Sequence, residues 1–115
     1  MNKLFHIGIN FYGRNPKHAE LSAAFDKALS WVRYAPNCWV VLSSSDGYAW
    51  FHRLKPLLHD DDSILICEIP MQGERTGFLP KLVWDWLEKQ TGSKTILDVL
   101  PRPALTDQHD LNQNV

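Results

Sequence analysis

The sequence lacks a surplus of charge of either sign: twelve basic side chains stand against thirteen acidic ones, a formal net charge of −1 over 115 residues. A protein that grips nucleic acid through many phosphates carries a basic excess or a basic stripe. Neither is present. Arg14, Lys17 and His18 form one small basic group and Arg53 with Lys55 another, and both read as solvated faces. Charge therefore lends no support to nucleic acid as a partner. Cysteine is scarce as well. Cys38 and Cys67 are far apart, each in an apolar run, without a Cys-x-x-Cys or Cys/His spacing suited to zinc. Buried free thiols in a reducing compartment are the expectation. No apolar run approaches the ~20 residues of a spanning helix, and no secretory leader is read at the N-terminus. The expectation is a cytoplasmic protein that does not enter a membrane.

What is present is a chain with enough apolar side chains, 44% of the total, to build one core without staples. Five tryptophans are many for this length. Rings of that size serve cores, interfaces or stacking surfaces. The segment "KLFHIGINF" places Phe5, Ile7, Ile9 and Phe11 on one side and Leu4, His6, Gly8 and Asn10 on the other, the alternation of a strand packed on a core. Asn15 and Pro16 suit a helix start, and Leu21, Ala24, Phe25, Ala28 and Leu29 recur at helical spacing, predicting a helix over residues 16–30. Two β-like runs, 31–35 and 38–43, flank the turn dipeptide Pro36-Asn37. A second helix begins at Ser44 or Ser45, with Trp50, Leu54, Leu57 and Leu58 inward and an irregular end at Pro56. Ile64 to Ile69 form a strand that Pro70 ends, and "MQGERTG" is a loop. A third helix runs from Pro80 to just before Gly92, with Leu82, Val83, Trp86 and Leu87 on its apolar face.

"KTILDVL", Lys94 to Leu100, reads as a last strand. Residues 101–115 form a polar, proline-broken tail beyond a single domain over residues 1–100. The order β-α-β-β-α-β, with an added C-terminal helix and a fifth strand, predicts an α+β, ferredoxin-like antiparallel sheet. One face of such a sheet is left for something else to cover.

The densest group of acidic side chains is "HDDD", His59 to Asp62. Four cation ligands stand side by side, but metal sites space their ligands two to four apart and calcium loops add a glycine for the bend. Aspartates bond their own backbone two residues on, so a turn between helix and strand accounts for the motif. Ser43, Ser44 and Ser45 near Asp46 and His52 suggest a nucleophile and base, yet no Gly-x-Ser-x-Gly elbow is present and helix capping accounts for the serines. An RNA-binding sheet surface would need exposed aromatics on the first and third strands, where only Trp39 is on offer.

Three blocks, "FHIGINFYGRNP", "CWVVLSS" and "RLKPLLHDDDSILICEI", carry a resemblance over residues 4–88. They resemble the small bacterial proteins labelled SinR family (unrelated to the biofilm repressor of that name). Those proteins are similar in fold and length to the small CRISPR spacer-acquisition subunit and to the virulence-associated ribonuclease toxins. The resemblance implies a symmetric dimer. In the nuclease members it also implies a first-strand aspartate as metal ligand, in the pattern Gly, aromatic, Asp, aliphatic, Asn. Here Gly8-Ile9-Asn10-Phe11-Tyr12 stands at that place. Asn10 brings an amide oxygen but no negative charge, and hard divalent ions want carboxylates.

The expectation is thus a non-catalytic homodimeric adaptor of a prokaryotic system, mobile-element or defence associated, with no cofactor and with a protein partner as the further candidate. The alternative is a metal-dependent endoribonuclease or endonuclease of the same fold, using Mg²⁺ or Mn²⁺. Asn10, His6 and Glu68 are its weak catalytic candidates, and no metal ligand is assigned. Trp84, Trp86, Ile96 and Leu100 are the candidates for a dimer or partner surface, with Lys94 to Leu100 expected to pair with the other subunit and a strand added to its own sheet as the alternative.

Overall fold

Period-two alternation in the first segment produces the central strand, β1 (Lys3–Asn10), of a computed structural model that describes residues 1–12 and 16–92. The chain continues through α1 (His18–Phe25), β2 (Ser30–Ala35), β3 (Cys38–Ser43), α2 (Gly47–Leu54), a 3₁₀ turn (Lys55–Leu57), β4 (Ser63–Ile69) and α3 (Lys81–Thr91). The four strands form one antiparallel sheet in the order β2-β3-β1-β4. The described residues thus make an α+β fold. Pro36-Asn37 is the β2–β3 turn, and Pro56 falls in the 3₁₀ turn that ends α2, both as their residue chemistry predicts.

The sheet has a core on each side. On one, Phe5, Ile7 and Ile9 of β1 join Trp31, Trp39 and Val41 beneath Leu21 and Phe25 of α1 and Trp50 and Leu54 of α2. Phe25 is the centre of this layer, its ring stacked at 4.6 Å on Trp39 and at 5.9 Å on Trp50. On the other side Leu4, Val32 and Val40 meet Val83, Trp84, Trp86 and Leu87 of α3. The second face is therefore not left bare, as the helix count had suggested. α3 covers one end of it.

That corrects the placement of two tryptophans. Trp84 and Trp86, expected at a partner surface, are 5% and 1% exposed. They point to different sides of the helix, and each side is covered. Trp86 lies on the sheet and donates Nε1–H to Ser30 Oγ at 2.9 Å. Trp84 lies beneath the β4–α3 loop, where a first side-chain carbon at Gly77 would stand 3.8 Å from its ring. Ile96 and Leu100, the other two surface candidates, lie outside the described residues, as do the Lys94–Leu100 segment and residues 101–115.

α1 is also shorter than the 16–30 expected. Its apolar spacing continues past Phe25, but Leu29 N–H already bonds Leu42 O at 2.8 Å and Ser30 pairs with Leu42. The hairpin draws these residues out of the helix, and Leu29 ends 59% exposed. Trp31 Nε1 donating to Asp26 Oδ1 fastens the turn. At α2 the cap is Asp46, whose Oδ1 accepts from Ala49 N, rather than Ser44 or Ser45. Gly92 closes α3 with φ 72°, the left-handed conformation that favours glycine.

Candidate functional site

The strand registers decide which side chains share a face. Ile7 pairs with Trp39 and Ile66, so these three point toward α1 and α2; His6 pairs with Val40 and Cys67, and Gly8 with Cys38 and Leu65, so these point to the α3 side. α3 covers the end of that side around Leu4, Leu42 and Ile69. The opposite end is open. It holds His6, Gly8 and Asn10 of β1, Tyr34 of β2, Cys38 of β3, and Ser63, Leu65 and Cys67 of β4. Leu65 is 64% exposed and Cys67 is a free, exposed thiol, whereas Cys38 is a half-buried one. The expectation of two buried thiols fails at Cys67 because β4 is an edge strand and α3 does not reach it there.

One hydrogen-bonded group organises this open half. Tyr34 sits where the β2–β3 register slips between Arg33 and Ala35, and its hydroxyl lies 2.5 Å from His6 Nε2. Burial lowers the pKa of His6 from its ordinary 6.5. Burial, and then the Cys38 side chain beside it, push the Tyr34 phenol up to about 12. At neutral pH the phenol thus keeps its proton and donates it to a neutral imidazole. The open half holds no Asp, Glu, Lys or Arg. It is an uncharged surface.

The nuclease candidates are not brought together. Glu68 pairs with Phe5 and so points to the α1/α2 side, where its carboxylate is 3.8 Å from Lys3 Nζ. Asn10 pairs with Ser63, five rungs away, or roughly 17 Å at the rise of a strand. His6 shares a face with Asn10 but not with Glu68. Among the described residues there is no cluster of three or more His, Cys, Asp or Glu side chains able to hold a metal ion.

His59–Asp62 is a turn. Asp62 Oδ1 accepts from Tyr12 N and Oδ2 from His59 N, both at 2.9 Å, and Asp62 N–H bonds His59 O. One carboxylate thereby ties the end of β1 to the entry of β4, while Asp60 and Asp61 point into solvent. The serine group resolves the same way. Ser43 Oγ accepts from Ser45 N, Ser45 Oγ accepts from Arg53, and His52 meets the ring of Tyr48 edge-on rather than any serine. Arg53, read as part of a solvated face, lies with its guanidinium 4.8 Å over the Trp50 ring. Trp39 is 3% exposed and faces the helices, so it offers no base a stacking surface. No helix of the described residues is long and apolar enough to cross a membrane.

Sequence reasoning missed Tyr34. The signal was within reach, since Tyr34 and His6 fall on the same side of a sheet in the predicted order, but the bulge that brings their polar atoms together has no mark in the sequence. Compared with family models, with curated proteins and with solved structures, the chain matches none of them.

Proposed function

We propose that this protein is a non-catalytic adaptor that pairs with a second copy of itself through the open half of the sheet. The observation that carries this reading is the composition of that surface: an exposed Leu65 and Cys67 around Gly8, with no Asp, Glu, Lys or Arg among its residues. A face of that kind suits a protein surface. It offers neither the cations that bind phosphate nor the carboxylates that bind Mg²⁺. The order β2-β3-β1-β4, with α1 and α2 connecting strands that are not neighbours, supports reading the framework as ferredoxin-like. The resemblance to SinR-family proteins and to the small CRISPR adaptation subunit supports a role in a prokaryotic mobile-element or defence system.

The nuclease alternative has the separation of Asn10, His6 and Glu68 against it. It requires cleavage of RNA or DNA that depends on Mg²⁺ or Mn²⁺ and is lost in Glu68→Ala. Light scattering of the protein at micromolar concentration tests the adaptor reading. A mass twice that of the 13.3 kDa chain is expected, and a clean monomer would sink it.

A further inference from the structure

The two edges of the sheet are not alike. β2 is guarded: its register slips at Tyr34, and Arg33 folds over its end to donate to Pro36 O from Nε at 2.9 Å and from Nη2 at 2.7 Å. Bulges and charges of this kind keep an edge from pairing. β4 has no bulge, lysine or proline within its seven residues, and its register with β1 is unbroken from Asn10–Ser63 to Leu4–Ile69. Among the described residues no strand lies on its outer side.

The bonding phase of β1 decides which groups of β4 are free. Ile9 N–H bonds Asn37 O, on the β3 side. Successive residues of a strand turn their main-chain groups to opposite edges, so His6, Gly8 and Asn10 bond β4. Their partners there are Cys67, Leu65 and Ser63. Ile64, Ile66 and Glu68 therefore turn N–H and C=O outward. This row stops at both ends: Asp62 N–H is already taken by His59 O, and Pro70 has no N–H to offer. The free groups are thus centred on Ile66, with a residue that cannot donate equally far to each side. An edge symmetric about its own middle residue is complementary to a copy of itself. We infer that β4 pairs antiparallel with β4 of a second copy about a two-fold axis at Ile66, joining the two sheets into one.

Charge selects the same axis. At Ile66 it sets Glu68 opposite the partner's Ile64, and Asp62 opposite the partner's Pro70. An axis at Leu65 would set Glu68 against the partner's Asp62, and an axis at Glu68 would bring the two glutamates together. Both oppose like charges, which destabilises a strand pair. An axis at Cys67 would set Ile64 against the partner's Pro70, where the N–H is missing. On the open side the axis at Ile66 brings Leu65, 64% exposed, opposite the partner's Cys67, and Cys67 is exposed as well. No main-chain bonds run between these two, the kind of pair in which side chains approach most closely. Two exposed side chains of the uncharged surface thereby cover each other, while Glu68 and its Lys3 contact lie on the other face.

This inference rests on the reading of the protein as a dimer and names where the copies meet. The test uses the full chain carrying Leu65→Cys. Opposed residues of this kind lie about 4.5 Å apart at Cα, a separation that a disulfide spans. Mild oxidation is therefore expected to link the introduced thiol to Cys67 of the partner subunit. The readout is a doubled mass on a non-reducing gel, with peptides joined through β4 by mass spectrometry. The unsubstituted chain, and Leu65→Cys combined with Cys67→Ser, each keep one thiol in β4 and are expected to stay single. Light scattering of the same samples separates the two readings. A dimer without linkage in Leu65→Cys overturns the edge pairing alone, and a monomer overturns both. Linkage through β4 in either single-thiol chain overturns the axis at Ile66. Amide exchange gives a second measurement that needs no variant. The N–H groups of Ile64, Ile66 and Glu68 are expected to exchange slowly in the dimer and to lose that protection on dilution to the monomer. Protection that survives dilution would show the edge to be covered within one chain, and would equally overturn the pairing.

Discussion

Asp62 illustrates how one carboxylate among three takes a role that its neighbours do not share. It accepts two main-chain N–H bonds, from Tyr12 and His59. Asp62→Ala is expected to cost about 1 kcal/mol, because His59 N is part-buried and loses its acceptor while the exposed Tyr12 N turns to water. Asp60→Asn and Asp61→Asn should be close to neutral, and Mg²⁺ or Mn²⁺ should leave the melting temperature unchanged. A rise in melting temperature with either ion would return the motif to the metal reading. His6 and Tyr34 set a second expectation. The pKa of His6 is lowered in the fold, so the unfolded chain takes up its proton first as pH falls. Stability is therefore present above about pH 6.5 and declines as pH drops below it. For Tyr34 the shift is upward, to about 12, so its contribution holds below about pH 10 and is lost above that. Urea unfolding from neutral to acidic pH checks the first limb. His6→Phe should flatten it, and an unchanged pH profile in that variant would show that another group is responsible.

At the level of elements, α3 is the part whose role the structure changes. Its sequence reads as a helix with one apolar face for the core and, on another face, a tryptophan to spare for a partner. Packed on the sheet it becomes the second half of the core. Trp86→Ala is accordingly expected to cost about 3–5 kcal/mol, the usual penalty for emptying a buried aromatic site, and to remove the bond from Trp86 Nε1 to Ser30 Oγ. Were Trp86 a partner contact, the same substitution would weaken association and leave unfolding of the isolated chain untouched. Denaturant curves at low protein concentration separate the two. Trp84→Ala should behave similarly, since its ring is covered by the β4–α3 loop.

For the whole molecule the question is what meets the uncovered half of the sheet. Leu65 is its largest exposed apolar side chain, and its removal takes nothing from either core. Leu65→Glu should leave the circular dichroism spectrum unchanged while halving the mass seen by light scattering. A buried carboxylate would then lack a partner in the paired state. A Leu65→Glu protein that stays dimeric would place the interface elsewhere.

Strand and helix identities were legible because each rests on a local period. Phe5, Ile7 and Ile9 alternate, Pro80 and Gly92 bound a helix, and Pro36-Asn37 makes a turn, whatever surrounds them. The turn at Asp62 was legible for the same reason, its bonds being mostly to near neighbours. The length of α1 was not, because the hairpin ladder at Leu29 and Ser30 competes with helical spacing, and that competition depends on a strand a dozen residues away. Which face α3 covers, and so the burial of Trp84 and Trp86, was decided only in three dimensions. Both sides of that helix are apolar enough to be buried, and only the positions of the sheet and of the 70–80 loop say that both are. The same holds for the separation of Glu68 from Asn10 and the union of His6 with Tyr34. Period two assigns a residue to a face. Register, which depends on the partner strand, assigns it a neighbour.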